Sequence, residues 1–248
     1  MFPIRDHNPS GRTPYVTYLL IGINVLVFLA YFLSSSEREL DFFFAEWGFI
    51  PARIMADDGY LTVLTSMFLH AGWLHLAGNM LFLWIFGDNL EDEMGPLGFL
   101  LFYLACGVAA AGLQAWADLD SRVPMVGASG AIAGVMGGYL LLFPKAKVDV
   151  LFIFIIFFRI FAISAWIVLG LWFAIQIFSG IVTPGDGGGV AHWAHAGGFI
   201  AGLMLTFPLW LRRGARRFWQ ANAGQPPHPA TEFAAARSNV PLIPRRKP

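Results

Sequence analysis

Residues 127–143 read GASGAIAGVMGGYLLLF, and the fold turns on how that run is understood. It carries no charged residue, and Gly130, Gly134 and Gly138 recur every four positions. That spacing puts the three glycines on one face of a helix, as a flat stripe against which another backbone can lie. Pro144, Lys145 and Lys147 stop the run. A second stripe, Gly198 and Gly202 with Ala194 one turn earlier, lies in the apolar segment from His192 to Leu211. Two such stripes predict two helices in backbone contact inside a membrane.

The rest of the chain agrees with a bilayer setting. Of 248 residues, 57% are hydrophobic and 13% charged, against roughly 25% charged in soluble domains. Too few charges are present to cover a globular surface. Apolar runs of transmembrane length recur, and they predict an all-α, polytopic bundle of six spans. These run from about Tyr15 to Leu33, Trp73 to Leu90, Pro96 to Trp116, Ser129 to Phe143, Ala162 to Ile181 and His192 to Leu211. Residues 1–14 read as a polar leader with no removable signal peptide. Residues 212–248 read as a basic, Pro-rich tail that is expected to be disordered. Arg159 interrupts residues 148–161, and a charge at mid-bilayer costs about 2.5–3.5 kcal/mol, so that stretch is expected at the interface or in a partly buried loop. The single cysteine, Cys106, excludes an intrachain disulfide and argues against a thiolate zinc site.

Basic residues set the expected orientation. With six spans and an N-terminus on the cytoplasmic side, 13 of the 16 Lys and Arg residues fall on that side. Only Arg38, Arg53 and Arg122 fall outside.

Polar groups inside a bilayer are expensive, so each needs a reason. His70, His75, Asn79, Ser129, His192 and His195 all lie near the starts of spans two, four and six, which run from outside to inside. Six polar residues from three distant segments thus share one depth. If the glycine stripes of spans four and six face each other, Ser129 and His195 sit at matching ends of the contact. A serine hydroxyl is a weak nucleophile until a nearby base takes its proton, and an imidazole within hydrogen-bond reach meets that need. His75 and Asn79, four apart on one face of span two, are placed to donate to the oxyanion that serine attack on a carbonyl creates. His70, off that face, reads as structural, and His192 as interfacial.

At this point the sequence resembles the rhomboid intramembrane proteases. His70-Ala-Gly-Trp-Leu-His75-Leu-Ala-Gly-Asn79-Met80 is similar to the family's second-span signature, Gly127-Ala128-Ser129-Gly130 to its nucleophile motif, and Ala194-His195-Ala196-Gly197-Gly198 with Gly202 to its histidine motif. The three occur in the family's order, over about Pro14 to Leu211. The resemblance implies a Ser129–His195 dyad without an aspartate, an oxyanion site of His75, Asn79 and the Ser129 backbone amide, and no metal or other cofactor. It implies a transmembrane-helix substrate cut near its outer end, after a small residue. Glu91 and Gly95 resemble structural residues at the inner end of the family's second span. Two departures stand out. Leu61-Thr62 replaces a Trp-Arg pair that anchors the first loop in many members. Ala133 occupies the place of an aromatic that packs on the catalytic histidine, which leaves Tyr139 or a nearby tryptophan to orient His195.

The expected partners are transmembrane protein substrates and the lipid bilayer, with no nucleic acid; the oligomeric state is not legible. The expected setting is a bacterial inner membrane, both termini cytoplasmic and the site opening outward. Two other readings exist: a metal-binding membrane protein or transporter built on the histidines, and a non-catalytic scaffold that binds transmembrane helices. The chain has no HExxH pattern and no Asp or Glu in the outer half of the spans, and it keeps both serine and histidine, so the protease reading leads.

Overall fold

Helices α7 (Ser129–Leu142) and α9 (His192–Arg212) share the most extensive contact of any two elements in the computed structural model, which describes residues 2–8, 10–33, 35–154, 157–183 and 189–226. The contact is one of backbones. A side-chain carbon on Gly198 would collide with the Gly130 carbonyl, and one on Gly202 with the Gly134 carbonyl. A carbon on Gly138 would come within 2.7 Å of Thr206 Oγ1. Eleven of the 14 residues of α7 are buried, so this helix is the centre of the bundle. Around it stand α5 (Trp73–Met94), α6 (Pro96–Ala117), α8 (Ala165–Val182) and α9, and α1 (Tyr15–Phe32) packs against α5.

The bundle is the polytopic helical membrane fold expected. Among the described residues four helices, α1, α6, α8 and α9, are each long and apolar enough to cross a bilayer. A fifth crossing results if Thr62–Phe68 and Trp73–Met94, bent by 94° at their junction, count as one span. The helix at the fourth expected span, α7, has only 14 residues, about 21 Å of rise against a hydrocarbon core of about 30 Å. Its shortness is tolerated because other helices surround it.

Buried carboxylates tie the bundle at the end opposite Ser129. The first amides of α1 have no acceptor in their own helix. Glu91 of α5 supplies one, accepting from Val16 N at 2.9 Å, Thr17 N at 2.8 Å and Thr17 Oγ1 at 2.9 Å. An anion there also meets the positive end of the helix dipole.

Between α1 and α5 the chain forms α2 (Glu37–Trp47), α3 (Pro51–Met55) and α4 (Thr62–Thr65). This region is held without the Trp-Arg pair. Arg53 donates to Ala45 O and Glu46 O, both at 3.0 Å, and pairs with Asp58 at 2.8 Å. Thr65 Oγ1 donates to Trp47 O at 2.7 Å. Phe49 and Met125 exchange backbone hydrogen bonds, so the same region clasps the segment that leads into α7.

Two expectations need correction. In residues 148–161, expected at the interface or in a partly buried loop, the chain forms strands rather than a loop. β2 (Lys147–Phe154) and β3 (Phe157–Ser164) are antiparallel, and the leader supplies β1 (Phe2–Asp6) on the other side of β2, giving the order β1-β2-β3. The stretch is rich in branched and aromatic residues, which favour strands. Val148 and Val150 turn into the core while Asp149, between them, binds Arg5 at 2.9 Å and His7 at 2.6 Å. Arg159 is exposed on β3, and the helix of the fifth expected span, α8, starts at Ala165 rather than about Ala162. The tail also retains structure near the bundle: residues 216–221 form α10 (Arg216–Ala221), whose Trp219 Nε1 donates to Leu141 O at 3.0 Å. Residues 227–248 lie outside the described residues.

Asp6 of β1 receives a hydrogen bond from Tyr139 OH at 2.9 Å and faces Asp88 of α5. Burial, with Asp88 adding to it, pushes the Asp6 carboxyl up from 3.8 to about 7. A carboxyl whose folded pKa is raised favours the folded state while protonated, and that contribution is lost as pH rises through about 7. Hydrogen exchange of the β1 and β2 amides should therefore speed up beyond its intrinsic base dependence as pH is raised from 3.8 to about 7 and show no further excess above that, and Asp6→Asn should remove the excess. The helix contact makes a second prediction. Gly202→Ala should lower stability in detergent by about 1–3 kcal/mol. Gly22→Ala, whose added carbon meets nothing within 4 Å, should leave the thermal midpoint unchanged or raise it.

Candidate active site

Ser129 is the first residue of α7, and its surroundings follow from the glycine two positions before it. Gly127 has φ +127°, a conformation that side chains rarely adopt. A carbon there would also lie 2.8 Å from His75 Nε2. Glycine therefore allows both the turn into the helix and the close approach of the His75 ring. Gly127 N donates to Ser66 O at 2.9 Å, which fixes the turn against the segment before α5. At the start of a helix the first amides lack acceptors within it, so the Ser129 and Gly130 N–H groups emerge beside the hydroxyl.

His195 reaches the same point from α9. Its Nε2 is 2.8 Å from Ser129 Oγ. Its Nδ1 is 2.9 Å from Gln176 Oε1, on α8. The Trp172 ring, one turn earlier on α8, lies 5.6 Å from the imidazole centre and tilted by 36°. The aromatic support that Ala133 cannot give thus arrives from another helix. Tyr139 takes no part, for it is ten residues along α7 and bonded to Asp6.

His75 also has a defined hydrogen position. Its Nδ1 lies 3.3 Å from Ala71 N, and a backbone N–H can only donate. Neutral His75 therefore carries its hydrogen on Nε2, the atom held against Gly127. Asn79, one turn further along α5, is buried and donates one amide hydrogen to His75 O at 2.9 Å; an NH2 group has a second. His70 is fully buried, and its backbone is clamped by Tyr31, whose hydroxyl accepts from His70 N at 2.7 Å and donates to His70 O at 2.6 Å. His192 Nδ1 lies 2.9 Å from the same Gln176 oxygen that His195 uses. Among the described residues no three His, Cys, Asp or Glu side chains are grouped to hold a metal ion.

The structure thus brings Ser129, His195 and His75 to one point, sets Asn79 one turn away, and leaves His70 and His192 at its edges. Sequence reasoning missed Gln176. Its signal was present: a lone amide in the apolar run of residues 165–182, which a bilayer disfavours unless the amide has a partner.

Residues 57–212 match the rhomboid domain. The chain belongs to the rhomboid family. Rhomboid-like protein 11, chloroplastic, of Arabidopsis thaliana is 32% identical over 209 residues, 82% of this chain and 68% of its own. Rhomboid protease GluP of Bacillus subtilis is 32% identical over 195 residues, 79% of this chain and 36% of its own. Rhomboid protein 1, mitochondrial, of Saccharomyces cerevisiae is 33% identical over 147 residues, 56% of this chain and 39% of its own. The chain therefore spans well under half the length of the Bacillus and yeast relatives. Membership and the apolar helices together make this rhomboid an integral membrane protein.

Proposed function

We propose that this rhomboid is an intramembrane serine endopeptidase. The observation that carries the reading is the 2.8 Å contact between Ser129 Oγ and His195 Nε2 at matching ends of the α7–α9 contact. His195 Nε2 takes the hydroxyl proton as Ser129 Oγ attacks a scissile carbonyl. The negative charge that develops on the carbonyl oxygen is met by the His75 Nε2–H, the second amide hydrogen of Asn79 and the Ser129 backbone N–H. Collapse of the tetrahedral intermediate breaks the C–N bond, His195 returns its proton to the leaving amine, and an acyl-enzyme remains on Ser129. A water that gives its proton to His195 then hydrolyses the ester and restores the serine.

The proposed substrate is a transmembrane helix opened near the Ser129 end of the bundle, after a small residue, because a helical peptide bond hides its carbonyl. The concentration of Lys and Arg at the opposite end supports cytoplasmic termini and a site near the outer face. A bacterial inner membrane is the proposed setting. The name of the Bacillus relative, a rhomboid protease, supports the reaction class.

Purified protein in detergent, given a single-span substrate, should cleave it. Ser129→Ala and His195→Ala should each lower kcat by about 10⁴-fold or more while retaining the wild-type thermal midpoint, and chelators should have no effect. Full cleavage by folded Ser129→Ala would rule the reading out. His75→Ala and Asn79→Ala should each lower kcat by about 10²–10³-fold with little change in KM; wild-type rates in both variants would remove them from the oxyanion site.

A further inference from the structure

Only three residues of α8 are buried: Ala165, Leu169 and Gln176. Two are apolar, as a lipid-facing helix requires, and the third is an amide. Such a group is costly in a bilayer unless its polar atoms are bonded. Its Oε1 lies 2.9 Å from His195 Nδ1 and 2.9 Å from His192 Nδ1. A carbonyl oxygen has two lone pairs and no hydrogen, so both imidazoles donate to it.

That geometry decides which tautomer His195 adopts. Neutral imidazole has one N–H, and the bond to Gln176 keeps it on Nδ1. Nε2 is then a bare acceptor facing Ser129 Oγ at 2.8 Å. In the other tautomer Nε2–H would point at the hydroxyl, and the serine proton would have no acceptor. We propose that Gln176 is the positioning residue of His195, fixing the imidazole as the Nδ1–H tautomer in place of a carboxylate. Trp172, one turn earlier on the same helix, holds the ring against rotation. His192 is the second donor to the shared oxygen, and it keeps the oxygen of the amide, rather than its NH2, turned toward the histidines. The carbonyl continues to accept from Nδ1–H when His195 becomes an imidazolium, so one acceptor serves both protonation states.

The consequence for rate rests on the serine-protease reading, but the tautomer does not, and the experiment separates the two. Protein labelled with ¹⁵N in its histidine rings, with the His195 signal assigned by its loss in His195→Gln, reports which ring nitrogen carries the hydrogen near neutral pH. The expected result is Nδ1–H in the wild type and a mixture with Nε2–H in Gln176→Leu. In parallel, Gln176→Leu should lower both kcat on a single-span substrate and the rate of Ser129 labelling by a fluorophosphonate, by about 10–100-fold, with KM within about twofold. Gln176→Glu, which keeps an acceptor oxygen at the cost of a buried acid, should recover part of the loss, whereas a purely packing role would be met equally well by leucine. Nε2–H in wild-type His195 overturns the proposal without any variant. So does a folded Gln176→Leu protein with wild-type kcat and tautomer. If the wild type neither cleaves nor reacts, the protease reading fails, and the ring spectrum still decides the role of Gln176.

Discussion

The approach of two backbones at Gly130, Gly134, Gly198 and Gly202 is the constraint on which the rest of the molecule depends. In water, apolar burial would draw helices together almost regardless of detail. In a bilayer the lipid tails are as apolar as the helices, so association depends on close packing and hydrogen bonds. Glycines whose missing side chains are filled by the neighbour's carbonyls give that packing. They also fix the relative rotation of α7 and α9 along their length. Ser129 is one residue before the stripe on α7 and His195 three before the stripe on α9, so their 2.8 Å contact follows from the same register.

Several polar groups near the two ends of the bundle bond across to another element. Glu91 caps α1, Asp6 takes the Tyr139 hydroxyl, and Asp149 binds the leader through Arg5 and His7. At the other end Tyr31 clamps the His70 backbone and Gln176 joins α8 to α9. Each bond fixes a helix terminus or a helix rotation, so the central contact between α7 and α9 is braced from both ends without a large charged surface.

How much of this was legible in the sequence depended on whether the signal was local. The glycine stripes, the ordered Ser and His motifs and the His75–Asn79 spacing repeat at helical periods, and they point to the residues that the structure gathers. The sheet did not show itself, because β1 and β2 are separated by more than 140 residues and strand pairing leaves no mark on either partner alone. Arg159 suggested an interface position or a partly buried loop, and the structure instead sets it on a strand of a hairpin. The structured residues 216–221 were hidden by the basic, Pro-rich composition of the chain beyond them. Gln176 was hidden differently: one amide in a hydrophobic run has no motif, and its meaning exists only once α8 is packed against α9.

The choice of an amide at that position fits the medium. A carboxylate beside the imidazole would have to be carried into a low-dielectric bundle in a span whose other buried residues are apolar. The desolvation penalty of such a charge is offset by a charged partner and by hydrogen bonds to its remaining lone pairs. In the proposed cycle His195 is neutral before it takes the serine proton, so an aspartate or glutamate would lack a charged partner for part of every turnover. A glutamine oxygen accepts the same Nδ1–H bond at no charge cost in either state. The absence of an acidic residue in the outer half of the spans and the presence of a buried amide on α8 thus have one physical origin. A base that works inside a bilayer is best oriented by a dipole.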